Sequence, residues 1–142
     1  MAMQTTSAGK INRIWVAKAL GDQTRARIVG LLGVRALCVC ELKVALSLSQ
    51  ATVSDHLRVL VEAGLLMTSK RSYWTLYTIR DDLPSGILGF MSLLTAQVHA
   101  EFPDDRNRLT DTPAFVCNVI AKPMPAGRHQ AEQHSRKPST SK

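Results

Sequence analysis

Ser47-Leu48-Ser49-Gln50-Ala51-Thr52-Val53-Ser54-Asp55-His56-Leu57-Arg58-Val59-Leu60 is the stretch that decides how this 142-residue chain folds. Ser47-Leu48-Ser49 reads as a short polar turn around one apolar residue. Ser49 is placed as the N-cap of a helix that starts at Gln50 and ends at Gly64, because a serine hydroxyl can accept from the first free amides. Val53, Leu57, Leu60 and Val61 recur at helical spacing and form one apolar stripe. Gln50, Ser54 and Arg58 fall on the other side, with the acids Asp55 and Glu62 nearby.

Upstream, the apolar spacing predicts a helix from about Ile11 to Leu20, a second from about Thr24 to Gly33 behind the caps Asp22 and Thr24, and a short third from about Val39 to Leu46. Downstream of Gly64 the pattern changes. Leu65 to Ser69 and Tyr73 to Ile79 are rich in β-formers and flank a basic tip, Lys70-Arg71-Ser72, which reads as a β-hairpin. Pro84 then opens a last helix, Ser85 to Glu101, apolar nearly all round. In a small protein such a helix belongs at a dimer interface. The division expected is a flexible segment 1–10, one domain over 11–102, and a C-terminal extension 103–142. In that extension an apolar island at 114–120 precedes a disordered basic tail.

A formal charge of +7 favours a polyanionic partner, nucleic acid before an anionic membrane surface. No apolar run reaches the roughly 20 residues that span a bilayer, and the first ten residues lack the apolar core of a secretion signal. No membrane partner and a cytoplasmic place are therefore expected. In a reducing compartment three cysteines, Cys38, Cys40 and Cys117, are not a disulfide framework. No nucleophile–base pairing, Gly-rich phosphate loop or His-Glu metal motif is visible, so no enzyme activity is expected.

Helix, tight turn, capped helix and basic-tipped hairpin together describe a winged helix-turn-helix: mainly α, with a β-hairpin wing, in the order α-α-α-α-β-β-α. The capped helix can enter a major groove. There Gln50 can pair with adenine, while Ser47, Ser49, Thr52 and Ser54 can bond phosphate or base. Arg58, Lys70 and Arg71 supply backbone neutralisation. Asp55 and Glu62 oppose phosphate and are expected to point aside. His56 lies beside the apolar stripe, where it either braces the helix or touches DNA.

These residues carry a resemblance. Ala19-Leu20-Gly21-Asp22-Gln23-Thr24-Arg25-Ala26-Arg27-Ile28 looks like the opening of the ArsR/SmtB repressors, Leu48 to Leu60 resembles their recognition helix, and Ala63-Gly64-Leu65-Leu66 resembles the step into their wing. The resemblance spans about Val16 to Ile79. It implies a homodimer, paired through the N-terminal helix and the Ser85 to Glu101 helix, on a partly palindromic operator that an inducer releases. Members often carry a glycine at the wing tip; Lys70-Arg71-Ser72 leaves the turn type open.

Cys38-Val39-Cys40-Glu41-Leu42 resembles the cysteine element of the arsenite- and antimonite-responsive members, which implies As(III) or Sb(III) as inducer rather than as a catalytic cofactor. Thiolates are soft ligands that suit such ions. Two cysteines one residue apart lie about 200° apart on a regular helix, so chelation needs a distorted helix start. The alternative is a pair of inert packed thiols. A third cysteine of the family pattern is replaced by Lys43 here. Cys117, an external thiol or hydroxide, or a two-thiolate site would complete the shell. A tetrahedral zinc site fits less well, since the last helix offers only His99 and Glu101, and His129 and His134 fall in the tail. A redox or persulfide sensor with Cys117 as resolving partner, or a sensor of another soft metal, remains the other reading of the cysteines.

Overall fold

The computed structural model describes residues 11–111, so Cys117, the island 114–120 and the tail histidines lie outside the described residues. Three of the first four helices begin on a side chain that accepts from a free backbone amide. Asn12 Oδ1 takes Ile14 N–H at 2.9 Å to open α1 (Arg13–Leu20), and Asp22 Oδ2 takes Arg25 N–H at 3.0 Å to open α2 (Gln23–Leu32). Ser49 Oγ takes Thr52 N–H at 3.1 Å to open α4 (Gln50–Glu62). The remaining one, α3 (Val39–Leu46), starts at Cys38, whose N–H is instead held at 3.0 Å by the buried carboxylate of Glu41.

The turn that joins α3 to α4 is closed by Ser47 N–H to Val44 O and Leu48 N–H to Lys43 O, with Ser47 at φ 57°. This is the C-terminal closure that glycine usually makes, here with a serine. Gly64 repeats it after α4 at φ 85°, with Gly64 N–H to Val61 O and Leu65 N–H to Leu60 O. That glycine turns the chain into the wing.

The wing is β1 (Leu66–Arg71) paired antiparallel with β2 (Trp74–Ile79), in register from Leu66↔Ile79 to Arg71↔Trp74. Lys70 and Arg71 therefore end a strand, and the tip is Ser72-Tyr73. Ser72 sits at φ 62° and Tyr73 is not in the left-handed region, the pattern of a type II′ turn, which favours glycine at its first central position. Ser72→Gly should raise stability by about 1 kcal/mol, because an L-residue pays a steric cost there. An unchanged urea midpoint would show that the turn carries no such strain. Leu37 adds a rung beyond the hairpin, exchanging backbone bonds with Tyr77 at 3.2 and 2.8 Å.

The core lies between α2, α3, α4 and the root of the wing, centred on Ile28, Leu31, Leu37, Leu42, Leu57 and Leu60. α5 (Ser85–Glu101) crosses α2 so closely that a Cβ on Gly30 would come within 2.7 Å of Val98 Cγ2. His99 Nε2 donates to Gly30 O at 3.1 Å in the same crossing.

A further helix, α6 (Pro103–Asp111), extends the packed unit past residue 102. Its Asp105 is buried and accepts from Arg27 at 2.7 Å through both guanidinium arms, and from Arg108 at 3.0 Å. Arg108 Nε donates to Ala45 O of α3 at 2.7 Å, and Leu109 is buried. Arg27 also stacks over Phe102 at 4.6 Å. The Asp105 carboxylate holds the Arg27 guanidinium above its ordinary pKa by hydrogen bonding and charge, against the opposing effect of burial. No helix among the described residues is long and apolar enough to cross a membrane.

Candidate DNA-reading face and cysteine helix

The buried face of α4 is Val53, Leu57 and Leu60, so its outward face follows from helical geometry. At about 100° per residue the positions opposite that stripe are Ala51, Asp55, Arg58 and Glu62, with Ser54 at the flank. Ala51, Ser54, Asp55 and Arg58 are exposed, as are Gln50 at the helix start and Ser47 and Ser49 in the turn. Glu62 is half-buried. Asp55 does not point aside. It stands at the centre of the outward face with its side chain 74% exposed, 3.4 Å from Arg58, whose side chain is 62% exposed.

Thr52 is exposed, and its hydroxyl accepts from Ser49 Oγ at 2.9 Å, which joins the two in one polar cap. His56 is turned inward instead. Its Nδ1 accepts from Arg25 Nη1 at 3.2 Å and lies 3.9 Å from the Asp22 carboxylate. Arg25 also donates to Ala19 O at 2.6 Å and Lys18 O at 3.4 Å. One guanidinium thus ties the end of α1, the start of α2 and the middle of α4. Sequence reading had not singled out Arg25; its position three residues after the cap Asp22 was the available signal.

Lys70, Arg71, Ser72 and Tyr73 are all exposed at the wing tip. At the foot of the wing Arg80 pairs with Asp82 at 2.6 Å and holds that carboxyl below its ordinary pKa. Basic charge is therefore available at the tip, and the arginine at the foot is matched by Asp82, with Asp81 beside it.

Cys38 and Cys40 flank the start of α3, where Cys38 is buried and Cys40 half-buried. Cys38 has extended backbone (φ −97°, ψ 172°), so the pair does not sit on a regular helix and the 200° separation does not apply to it. Cys40 is a free thiol and Cys38 is disulfide-bonded. Arg35 pairs with Glu41 at 3.0 Å, so the carboxylate that caps Cys38 is itself anchored. Among the described residues no three His, Cys, Asp or Glu side chains gather as metal ligands.

The bacterial regulatory protein, arsR family, model matches residues 22–68, which run from the cap of α2 into β1. An arsenic resistance transcriptional regulator of Pseudomonas putida is 39% identical over 92 residues, covering 61% of this chain and 72% of that relative. A second regulator of that name from the same organism is 36% identical over 110 residues, 77% of this chain and 90% of the relative. The arsenical resistance operon repressor of Escherichia coli is 42% identical over 73 residues, 51% of this chain and 62% of the relative. Among solved structures, reduced HlyU from Vibrio cholerae superposes with a TM-score of 0.52 at 28% identity, over 63% of this chain and 87% of that one. The capped helix, the wing and these relatives agree: the chain belongs to the ArsR family of DNA-binding, winged-helix transcriptional regulators, which are not enzymes.

Proposed function

We propose that this protein is the operator-binding repressor of an arsenic-resistance operon, acting in the cytoplasm and released when As(III) or Sb(III) binds Cys38, Cys40 and Cys117. The observation that carries the reading is the place of two soft donors at the N-terminus of α3, the helix that leads through a single tight turn into the DNA-reading helix. Relatives named as arsenical resistance repressors support the same ligand class. In the reduced protein each thiol that joins the metalloid gives its proton to a departing hydroxide of arsenious acid, so one water leaves per As–S bond. Convergence of the two sulfurs strains the first turn of α3, which favours a form that reads DNA poorly.

Cys117 is supported as third donor by α6. Because Arg108 of α6 bonds Ala45 of α3, α6 packs on the helix that carries the cysteines and ends at Asp111. Cys117 follows six residues later (117 − 111), a reach of up to about 20 Å. DNA contact is assigned to Gln50, Ser54, Arg58 and the polar cap Ser47, Ser49 and Thr52, with Lys70 and Arg71 on the backbone. His56 serves them by holding α4 against α2.

The working unit is a homodimer. Ile14 of α1 and Leu88, Phe90 and Leu93 of α5 are exposed apolar side chains, 37–72% accessible, and Phe90 also lines a cleft between the two helices with Val16 and Ile87. A second copy of α1 and α5 covers them.

A second reading takes the cysteines as a redox or persulfide sensor, and the disulfide-bonded state of Cys38 favours it. Fluorescence anisotropy of the duplex upstream of the protein's own gene separates the two. The metalloid reading expects As(III) to release the reduced protein. Release by peroxide or persulfide with no response to As(III) would hand the cysteines to the redox reading. No binding to that duplex under any condition would remove the operator assignment.

A further inference from the structure

The centre of the outward face of the DNA-reading helix is a carboxylate, in a chain whose net charge is +7. Asp55 lies opposite the buried stripe of Val53, Leu57 and Leu60, flanked by the small side chains Ala51 and Ser54. A helix that bound DNA by charge alone would not place an acid there, since Asp55 opposes every phosphate that Arg58 attracts. A carboxylate has nothing to accept from phosphate, but it can accept from an exocyclic amine on a base edge. In the major groove those amines are cytosine N4 and adenine N6, and cytosine N4 is the usual partner of an acidic side chain.

Arg58 fits the same geometry. It follows Asp55 by three residues, a rise of about 4.5 Å, between the about 3.4 Å of one base-pair step and the span of two. Their 3.4 Å ion pair sets the guanidinium beside the carboxylate on the same exposed face. Arginine pairs best with guanine O6 and N7.

We propose that Asp55 is a specificity-determining residue of this repressor: it accepts from cytosine N4 at one position of the recognised sequence and aligns Arg58 on a neighbouring guanine. The proposal rests on α4 as the helix that enters the groove. Asp55 therefore costs affinity for DNA in general and returns it as discrimination at that position.

The test uses the full-length protein, its Asp55→Ala and Asp55→Asn variants, and selection from a library of random duplexes followed by anisotropy on single-base variants of the selected duplex. Asp55→Ala should lose about 5- to 150-fold discrimination against the non-cytosine bases at one position, the range that one base contact carries. Its binding to random DNA should become tighter. Asp55→Asn should shift the preference at that position toward adenine, because an amide pairs with adenine N6 and N7. The side chain is exposed, so both variants fold, and circular dichroism checks that they do. A variant profile that superposes on the wild type after a uniform gain in affinity would make Asp55 only an electrostatic brake and overturn the proposal. A wild-type preference for adenine at that position would overturn the assignment to cytosine. Failure of the wild type to select any sequence would instead sink the groove-reading role of α4.

Discussion

Replacing Cys38 and Cys40 together by serine is expected to leave operator binding at its wild-type level and to abolish release by As(III). DNA affinity survives because Cys38 is the residue before the first turn of α3, and serine suits that position better than cysteine does. The hydroxyls match the thiols in size but are hard donors, so the soft ligand loses its grip. The expected loss is large because a switch from 99% bound to 99% free needs about a 10⁴-fold preference of the ligand for one form. With both thiolates gone, no such preference is left. In an anisotropy titration the double variant should stay bound at As(III) levels that fully release the reduced wild type, and Cys117→Ser should release only at higher concentration. A double variant that As(III) still displaces would move the sensing site away from α3. A Cys117→Ser curve that overlays the wild type would remove Cys117 from the ligand set.

The second large effect is on stability. Asp105→Ala should destabilise the fold by about 3 kcal/mol, read as a lower urea midpoint at unchanged slope. Asp105 is 5% exposed in its side chain and its partner Arg27 15%, so the deletion strands a guanidinium in a poorly hydrated site. The figure stands at the low end for a broken buried pair because Arg108, 38% exposed, can turn to water. Added salt should recover little of it, since such pairs are weakly screened. A loss below about 1 kcal/mol, the range of a surface ion pair, would show that α6 is held by Leu109 and Phe102 instead.

What the sequence made legible was local. The Ser49 cap, the Val53-Leu57-Leu60 stripe and the glycine after α4 each announce themselves within one turn of chain, and the structure has them at those positions. The last long helix was equally readable, because its apolar residues leave no polar side to hide. α6 escaped for the opposite reason. Pro103 to Asp111 is mostly polar, and its anchor is a charge, Asp105, which becomes legible only once Arg27, 78 residues earlier, is seen beside it. The inward turn of His56 depends in the same way on Arg25, 31 residues away. Asp55 is legible on the right helix, and its outward angle follows from its position about 200° round from Val53, against the expectation that an acid turns away from phosphate. The tip of the wing is a shorter-range miss. Lys70 and Arg71 carry the charge but not the bend, and Ser72 gave no composition signal for a left-handed backbone.

The Leu37–Tyr77 rung has a consequence for how sharply this repressor lets go. Leu37 immediately precedes Cys38, so the cysteine proposed to bind the inducer hangs on the same short ladder as β2. A displacement of Cys38 cannot be confined to α3: it pulls the base of one arm while α3 itself tilts the other. A protein that grips a duplex with two linked arms gains from each arm what the other has already prepaid in orientation, and it loses that multiplication when either slips. A ligand at the shared hinge of both arms dissolves the product rather than one factor, and a small ion can thereby detach a protein many times its size.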